Sequence, residues 1–187
     1  MKASRSFLYI IGVFIIAAAL YRIIPGRPYG FAPQIAMALF AGAIVRNKIA
    51  AFVIPVLSML VSDALFELLH VAGISPMWGF YEGQVTNYVL FALLTTIGFF
   101  ITKINITRVA AASITAPTVY FLLSNFVVWI SGGGFNRPKT VNGLLMSYTD
   151  GMPFYLNSIA GTLFFSGLFF VGYHVVKNHI LKPEIAR

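Results

Sequence analysis

Apolar residues in this chain come in long unbroken runs, and the polar residues fall between the runs more often than within them. A helix needs ~17–25 mostly apolar residues to cross the hydrocarbon core of a bilayer. On that measure the runs predict six spans, at about 7–24, 31–45, 49–71, 85–101, 109–130 and 153–176. They should be helices: unpaired backbone groups are too costly in hydrocarbon, and the alternation of barrel strands is absent. The Pro25-Gly26-Arg27-Pro28 stretch stops the first span, because proline removes backbone donors. The second span is short and crowded with Ala36, Ala38, Ala41, Gly42 and Ala43, which lets helix backbones approach closely and predicts a central packing helix.

Composition agrees with the pattern. Of 187 residues, 59% are hydrophobic and 10% charged, against the roughly 25% charged that a soluble domain carries. Six spans with short connections fill residues 1–187 as a single transmembrane domain and leave no room for a separate soluble one. Lys2 and Arg5 ahead of the run from Phe7, with Ala17-Ala18-Ala19 resembling a cleavage site, imitate a secretion signal. The segment is expected to be a retained anchor.

The net charge of +8 does not mark a nucleic-acid binder, since the cations stand singly or in pairs between apolar runs and not along a stripe. They set orientation instead. With the N-terminus inside, Lys2, Arg5, Arg46, Lys48, Lys103, Arg108, Lys177, Lys182 and Arg187 fall on the cytoplasmic side, against Arg22, Arg27, Arg137 and Lys139 outside. Both termini are then cytoplasmic. The inner turns are tight, whereas the outer loops, at about 25–30, 72–84 and 131–152, carry the varied chemistry.

Candidate chemistry clusters on that outer side. Asp63, Glu67 and His70 interrupt the third span at a spacing that puts them on one helical face. An acid at the bilayer centre costs roughly 2.5–3.5 kcal/mol, so a partner or a wet cavity is expected. These residues suit a ligand pocket, a proton relay or a cation site, or else a structural network in which Asp63 pairs with Arg22 or Arg27. Glu-x-x-His alone is a weak metal signal. The first outer loop offers Arg27 and Tyr29, the second Trp78 and Tyr81. The third carries Arg137, Lys139 and Tyr148, with residues 140–148 expected as a short helix on the outer surface. Asn125 and Trp129 lie one turn apart near the outer end of the fifth span, and Asn157 near that of the sixth. Buried amides either bond neighbouring helices or line a pocket. Pro138 occupies the glycine position that a phosphate loop requires before Lys139-Thr140, so an ATP site is excluded. With no cysteine, and no serine-hydrolase elbow, His-Glu-x-x-His zinc motif or glycosidase-like carboxylate pair, neither an enzyme nor a resident metal or cofactor is expected.

Several short patterns are shared with a known group. Ser124-Asn125-Phe126-x-x-Trp129, Pro138-Lys139-Thr140-x-x-Gly143-Leu144, Tyr148-x-x-x-x-Pro153-Phe154 and the earlier Pro28-x-x-Phe31-x-Pro33 stretch resemble an uncharacterised bacterial family of transport-type proteins. That family is similar to the substrate-binding S components of energy-coupling-factor (ECF) vitamin transporters. The resemblance implies a six-helix bundle in the bacterial inner membrane, a pocket open to the outside, and a separate energising membrane subunit with ATPases. The first span lacks the Ala-x-x-x-Ala docking motif common in S components, and Met1-Lys2 replaces the Met-His of metal-type ones. A vitamin-like organic ligand is therefore expected over cobalt or nickel. Two other readings stay open: an accessory subunit of a larger membrane assembly, which would use the small-residue face of the second span as its contact, and a proton- or cation-coupled carrier using Asp63, Glu67 and His70.

Overall fold

The computed structural model describes residues 5–177, and every regular element in it is helical. Six helices follow one another: α1 (Arg5–Arg22), α2 (Gln34–Ile44), α3 (Lys48–Val71), α4 (Gln84–Phe99), α5 (Ile106–Ser131) and α6 (Val141–Val176). Three of them, α3, α5 and α6, are long and apolar enough to cross a membrane. Lys2, Lys182 and Arg187, assigned to the inner side from sequence, lie outside the described residues.

The side chains are distributed inside-out relative to a water-soluble bundle. Val53, Leu57 and Leu60 of α3, Leu122 and Leu123 of α5, and Phe164, Leu168 and Val171 of α6 are exposed. Gln34, Ser58, Ser62, Asp63, Thr95, Ser113, Thr162 and Ser166 are buried. Lipid tails solvate the first group and cannot serve the second, which is why polar groups retreat inward in such proteins.

The centre is α2, which touches all five other helices and buries every residue from Gln34 to Gly42. Small residues make this possible. A Cβ on Gly42 would lie 2.4 Å from the Thr95 carbonyl oxygen, and one on Gly98 would lie 2.5 Å from that of Leu39. The backbones of α2 and α4 therefore meet with nothing between them. The small-residue face of α2 is spent inside the chain, with Ala38 fully buried, so it is not the intermolecular surface that the accessory-subunit reading requires.

One boundary differs from the sequence reading. The sixth helix begins at Val141, not at Pro153, and residues 141–152 are its opening turns instead of a separate surface helix. Thr140 starts it by accepting a hydrogen bond from the Gly143 amide. Pro153 is carried within the helix, as proline is in apolar helices whose neighbours satisfy the freed groups. At 1.5 Å per residue the 36-residue helix is ~54 Å long, well beyond a ~30 Å hydrocarbon core.

Candidate functional site

The candidate polar residues gather at one end of the bundle, where α1, α3 and α5 finish and α2, α4 and α6 begin. They form two clusters and a loop latch.

The first group is centred on Asp63, whose side chain is 2% exposed. The Arg22 guanidinium donates to its Oδ1, and the Gln84 amide and Tyr88 hydroxyl to its Oδ2, the latter at 2.8 Å. Arg22 also bonds Ser62 Oγ at 2.6 Å, and Ser62 donates onward to the Met59 carbonyl. The carboxylate of α3 thus has three donors, one from α1 and two from α4, and is shut off from solvent. Glu67, one turn further, accepts the backbone amides of Gly79 and Phe80 at 3.0 and 3.4 Å. His70 bonds the Ser75 carbonyl through Nδ1 and stacks on Trp78, with ring centroids 4.6 Å apart. The loop 72–83 is thereby folded down onto α3 and seated by Gly79, where a Cβ would lie 2.0 Å from the Asp63 carbonyl oxygen. Tyr81 extends the network outward, its hydroxyl meeting Asn87, which in turn accepts from Tyr120.

The first outer loop is fastened in a similar way. Arg27 donates to the Arg22 carbonyl at 2.7 Å and so caps the end of α1. Burial, with the Arg22 guanidinium second, lowers its pKa. Asn157 donates to the Tyr29 carbonyl and Ser158 to that of Gly30, which ties this loop to α6.

The second group surrounds a cavity of about 180 Å³ between the end of α5, the loop 132–140 and the opening turns of α6. Three residues singled out from sequence, Asn125, Trp129 and Arg137, line it together with Ser147, Asp150 and Phe154. Arg137 and Asp150 form a two-bond ion pair, Nε to Oδ2 at 2.8 Å and Nη2 to Oδ1 at 2.9 Å. That carboxylate raises the pKa of Arg137 further above its ordinary value. Trp129 donates Nε1–H to the Pro138 carbonyl at 2.8 Å, with the Lys139 ammonium 5.6 Å from its ring centre and Phe126 packed beside it. Lys139 bonds the Trp129 carbonyl and does not line the cavity. Tyr148 also lies outside it, with its hydroxyl on the Leu122 carbonyl.

The structure therefore divides the candidates. Asp63, Glu67, His70, Trp78 and Tyr81 belong to the sealed cluster and its loop, Arg27, Tyr29 and Asn157 to the first loop and its latch, and Asn125, Trp129 and Arg137 to the cavity. Sequence reasoning missed Asp150 as the partner of Arg137, and Gln84 and Tyr88 as partners of Asp63. The only available signals were an acid inside an otherwise uncharged segment and two polar residues four apart at the start of a span. Among the described residues no group of three or more His, Asp or Glu could hold a metal ion. A second groove of about 420 Å³ lies toward the other end of α5 and α6, lined among the described residues by His174 but by no Lys, Arg, Asp or Glu.

No curated protein and no solved structure matches this chain. The chain belongs to DUF6580, a family of unknown function, whose profile matches residues 2–184.

Proposed function

For this member of the family, we propose a membrane-embedded substrate-binding protein that takes a small micronutrient, a vitamin-like organic molecule, from the outer face of the bacterial inner membrane. The observation that carries the reading is the cavity of about 180 Å³, which joins aromatic walls to the amide of Asn125 and the Arg137–Asp150 pair at the end of the bundle assigned to the outside. Ligand sites commonly have this character: mostly apolar linings with a few placed polar groups. In this reading all six helices sit in the membrane, both termini are cytoplasmic, and the bundle follows the ECF S-component plan with a separate energising subunit.

Two further observations favour that orientation. Each of the four outer cations is engaged by the protein, Arg22 by Asp63, Arg27 by a carbonyl, Arg137 by Asp150 and Lys139 by a carbonyl. Their presence outside thus has a structural cause that does not offset the basic excess on the other side. The outer loops are also latched to helices by side chains, whereas the mostly apolar groove at the other end of α5 and α6 suits acyl chains better than a polar nutrient.

The carrier reading fits less well. Asp63 is held by a permanent cation and two further donors, and Glu67 is occupied by loop amides, which leaves neither poised to exchange a proton or bind an ion. Native mass spectrometry of protein released gently from its own membranes tests the proposal. A retained small molecule of vitamin mass, lost in Trp129→Ala, is the expected outcome. A bare chain attached to large protein subunits would instead favour the accessory role.

A further inference from the structure

The cavity also constrains the chemistry of what enters it, and here the argument rests on the substrate-binding reading above. Its volume, about 180 Å³, is well below the ~300–1,000 Å³ of sites for drug-sized ligands, so it holds roughly one ring with a small substituent. Among the described residues, Arg137 and Asp150 are the only charged ones lining it, and they satisfy one another through two parallel bonds. The lining therefore has no net charge. The remaining outer cation near the site, Lys139, bonds the Trp129 carbonyl and lies 5.6 Å from the centre of the Trp129 ring, outside the lining itself.

The ion pair is not exhausted as a hydrogen-bonding surface. Arg137 uses Nε and one Nη2 hydrogen on Asp150, which leaves the Nη1 hydrogens, while each Asp150 oxygen keeps a further lone pair. A donor and an acceptor thus stand side by side. Asn125 repeats the pattern: its Nδ2 gives one hydrogen to the Phe121 carbonyl and retains the other, and among the described residues its Oδ1 accepts no hydrogen bond. Trp129, Phe135 and Phe154 supply the aromatic part of the lining, with the Arg137 guanidinium 5.3 Å from the centre of the Phe135 ring.

We infer that the outer cavity selects an uncharged, planar, single-ring molecule that presents a hydrogen-bond donor beside an acceptor, as a carboxamide or lactam edge does. An anion placed beside Arg137 would have to displace Asp150 or lie against it, and a cation would meet Arg137 in the same way. Either charged ligand meets one attracting and one repelling partner, so little is gained to offset the cost of desolvating its charge. The acidic ligand that Arg137 and Lys139 suggest in the sequence is therefore disfavoured by where Asp150 and the Trp129 carbonyl lie.

The test uses benzamide, benzoate and benzamidine, which share one shape and are uncharged, anionic and cationic. Binding to the purified full chain is followed by fluorescence in a Trp78→Phe background, so that Trp129 is the sole tryptophan. Benzamide should bind roughly tenfold more tightly than either charged probe. Asp150→Asn, which leaves Arg137 unpaired, should move the preference to benzoate, and Arg137→Gln should move it to benzamidine. If either variant folds poorly, the other still reads the effect. Equal binding of all three probes, or variants that leave the order unchanged, would overturn the inference. The molecule released from native protein separates this from the broader reading: a charged ligand there would sink the inference and spare the binding function. With no retained molecule and no probe response, both fall.

Discussion

Asp63 and Asp150 each meet one arginine from a different element, yet the two pairs have opposite surroundings. The Arg22–Asp63 pair is closed in by Ser62, Gln84 and Tyr88, and the carboxylate is 2% exposed. The Arg137–Asp150 pair has no third protein partner on its carboxylate among the described residues, and both side chains are about a quarter to a third exposed at the edge of a cavity. A charge pair in an apolar helix bundle is therefore not in itself a sign of a binding site. What distinguishes the two is the hydrogen-bonding capacity left over and the space next to it. The sealed pair spends its capacity on joining α1, α3 and α4, and the open pair retains some for a visitor.

The largest effect should come from breaking the sealed pair. Asp63→Ala leaves Arg22 without its counter-ion in a partly buried position, and loss of one partner of a buried pair costs ~3–5 kcal/mol. Thermal unfolding in detergent should show it as a marked drop, with reduced yield. Replacing both partners, Arg22→Met with Asp63→Leu, should cost less than the single change, and an equal loss would mean that the pair itself is not what holds these helices.

Next in size is Gly79→Ala, whose new methyl would collide with the backbone of α3 at Asp63 and Glu67. Overpacking of this kind costs ~1–3 kcal/mol. The loop 72–83 should lift and the Gly79 and Phe80 amides lose their bonds to Glu67, read as faster hydrogen exchange at those two positions. Unchanged exchange would show that Glu67, and not the glycine contact, seats the loop.

At the cavity the order of effects reverses, with function moving more than stability. Asn125→Ala should weaken binding of the native ligand about tenfold, the scale of one lost ~1–1.5 kcal/mol hydrogen bond, with little change in unfolding temperature. Isothermal titration with the released ligand measures it, and unchanged affinity would remove Asn125 from the site. Lys139→Ala should have the smallest consequence, ~0.3–1 kcal/mol of stability from the lost cation at the end of α5, and no change in ligand preference. A large loss of affinity for an anionic ligand would return Lys139 to the binding machinery.

Much of the bundle was legible in the sequence because its punctuation is strong. Pro25, Pro28 and Pro33 occupy the first connection, so the break between the first two helices could be read closely, whereas α5 starts three residues before the apolar run, where Asn105 caps it. The start of α6 could not be read this way. Pro153 reads as a barrier, but whether an apolar helix tolerates proline depends on its neighbours, and the Thr140 cap is weak beside that signal. In the site, Asn125, Trp129 and Arg137 stood out as polar or amphipathic groups bordering apolar runs. Their separation from Asp63 did not, because it depends on which residues of α4 come to the carboxylate. Gln84 and Tyr88 look like ordinary residues of a membrane interface until Arg22 and Asp63 are placed beside them. The direction of Lys139 follows from the turn at Gly132 to Asn136, where three of the five residues adopt positive φ, and nothing in residue type alone predicts where such a turn aims the next side chain.

The helix at the centre has a consequence for how the molecule is made. At 11 residues α2 rises only ~17 Å, about half the depth of a hydrocarbon layer, and as a helix it is shorter than the ~17 residues a span needs. Of the five helices that enclose it, only α1 precedes it along the chain. As the protein is synthesised, α2 must wait for α3, α4, α5 and α6 before its backbone is covered on every side. The interior of this protein is therefore completed late, and a nascent chain halted before α6 would hold its most buried segment with one flank still open.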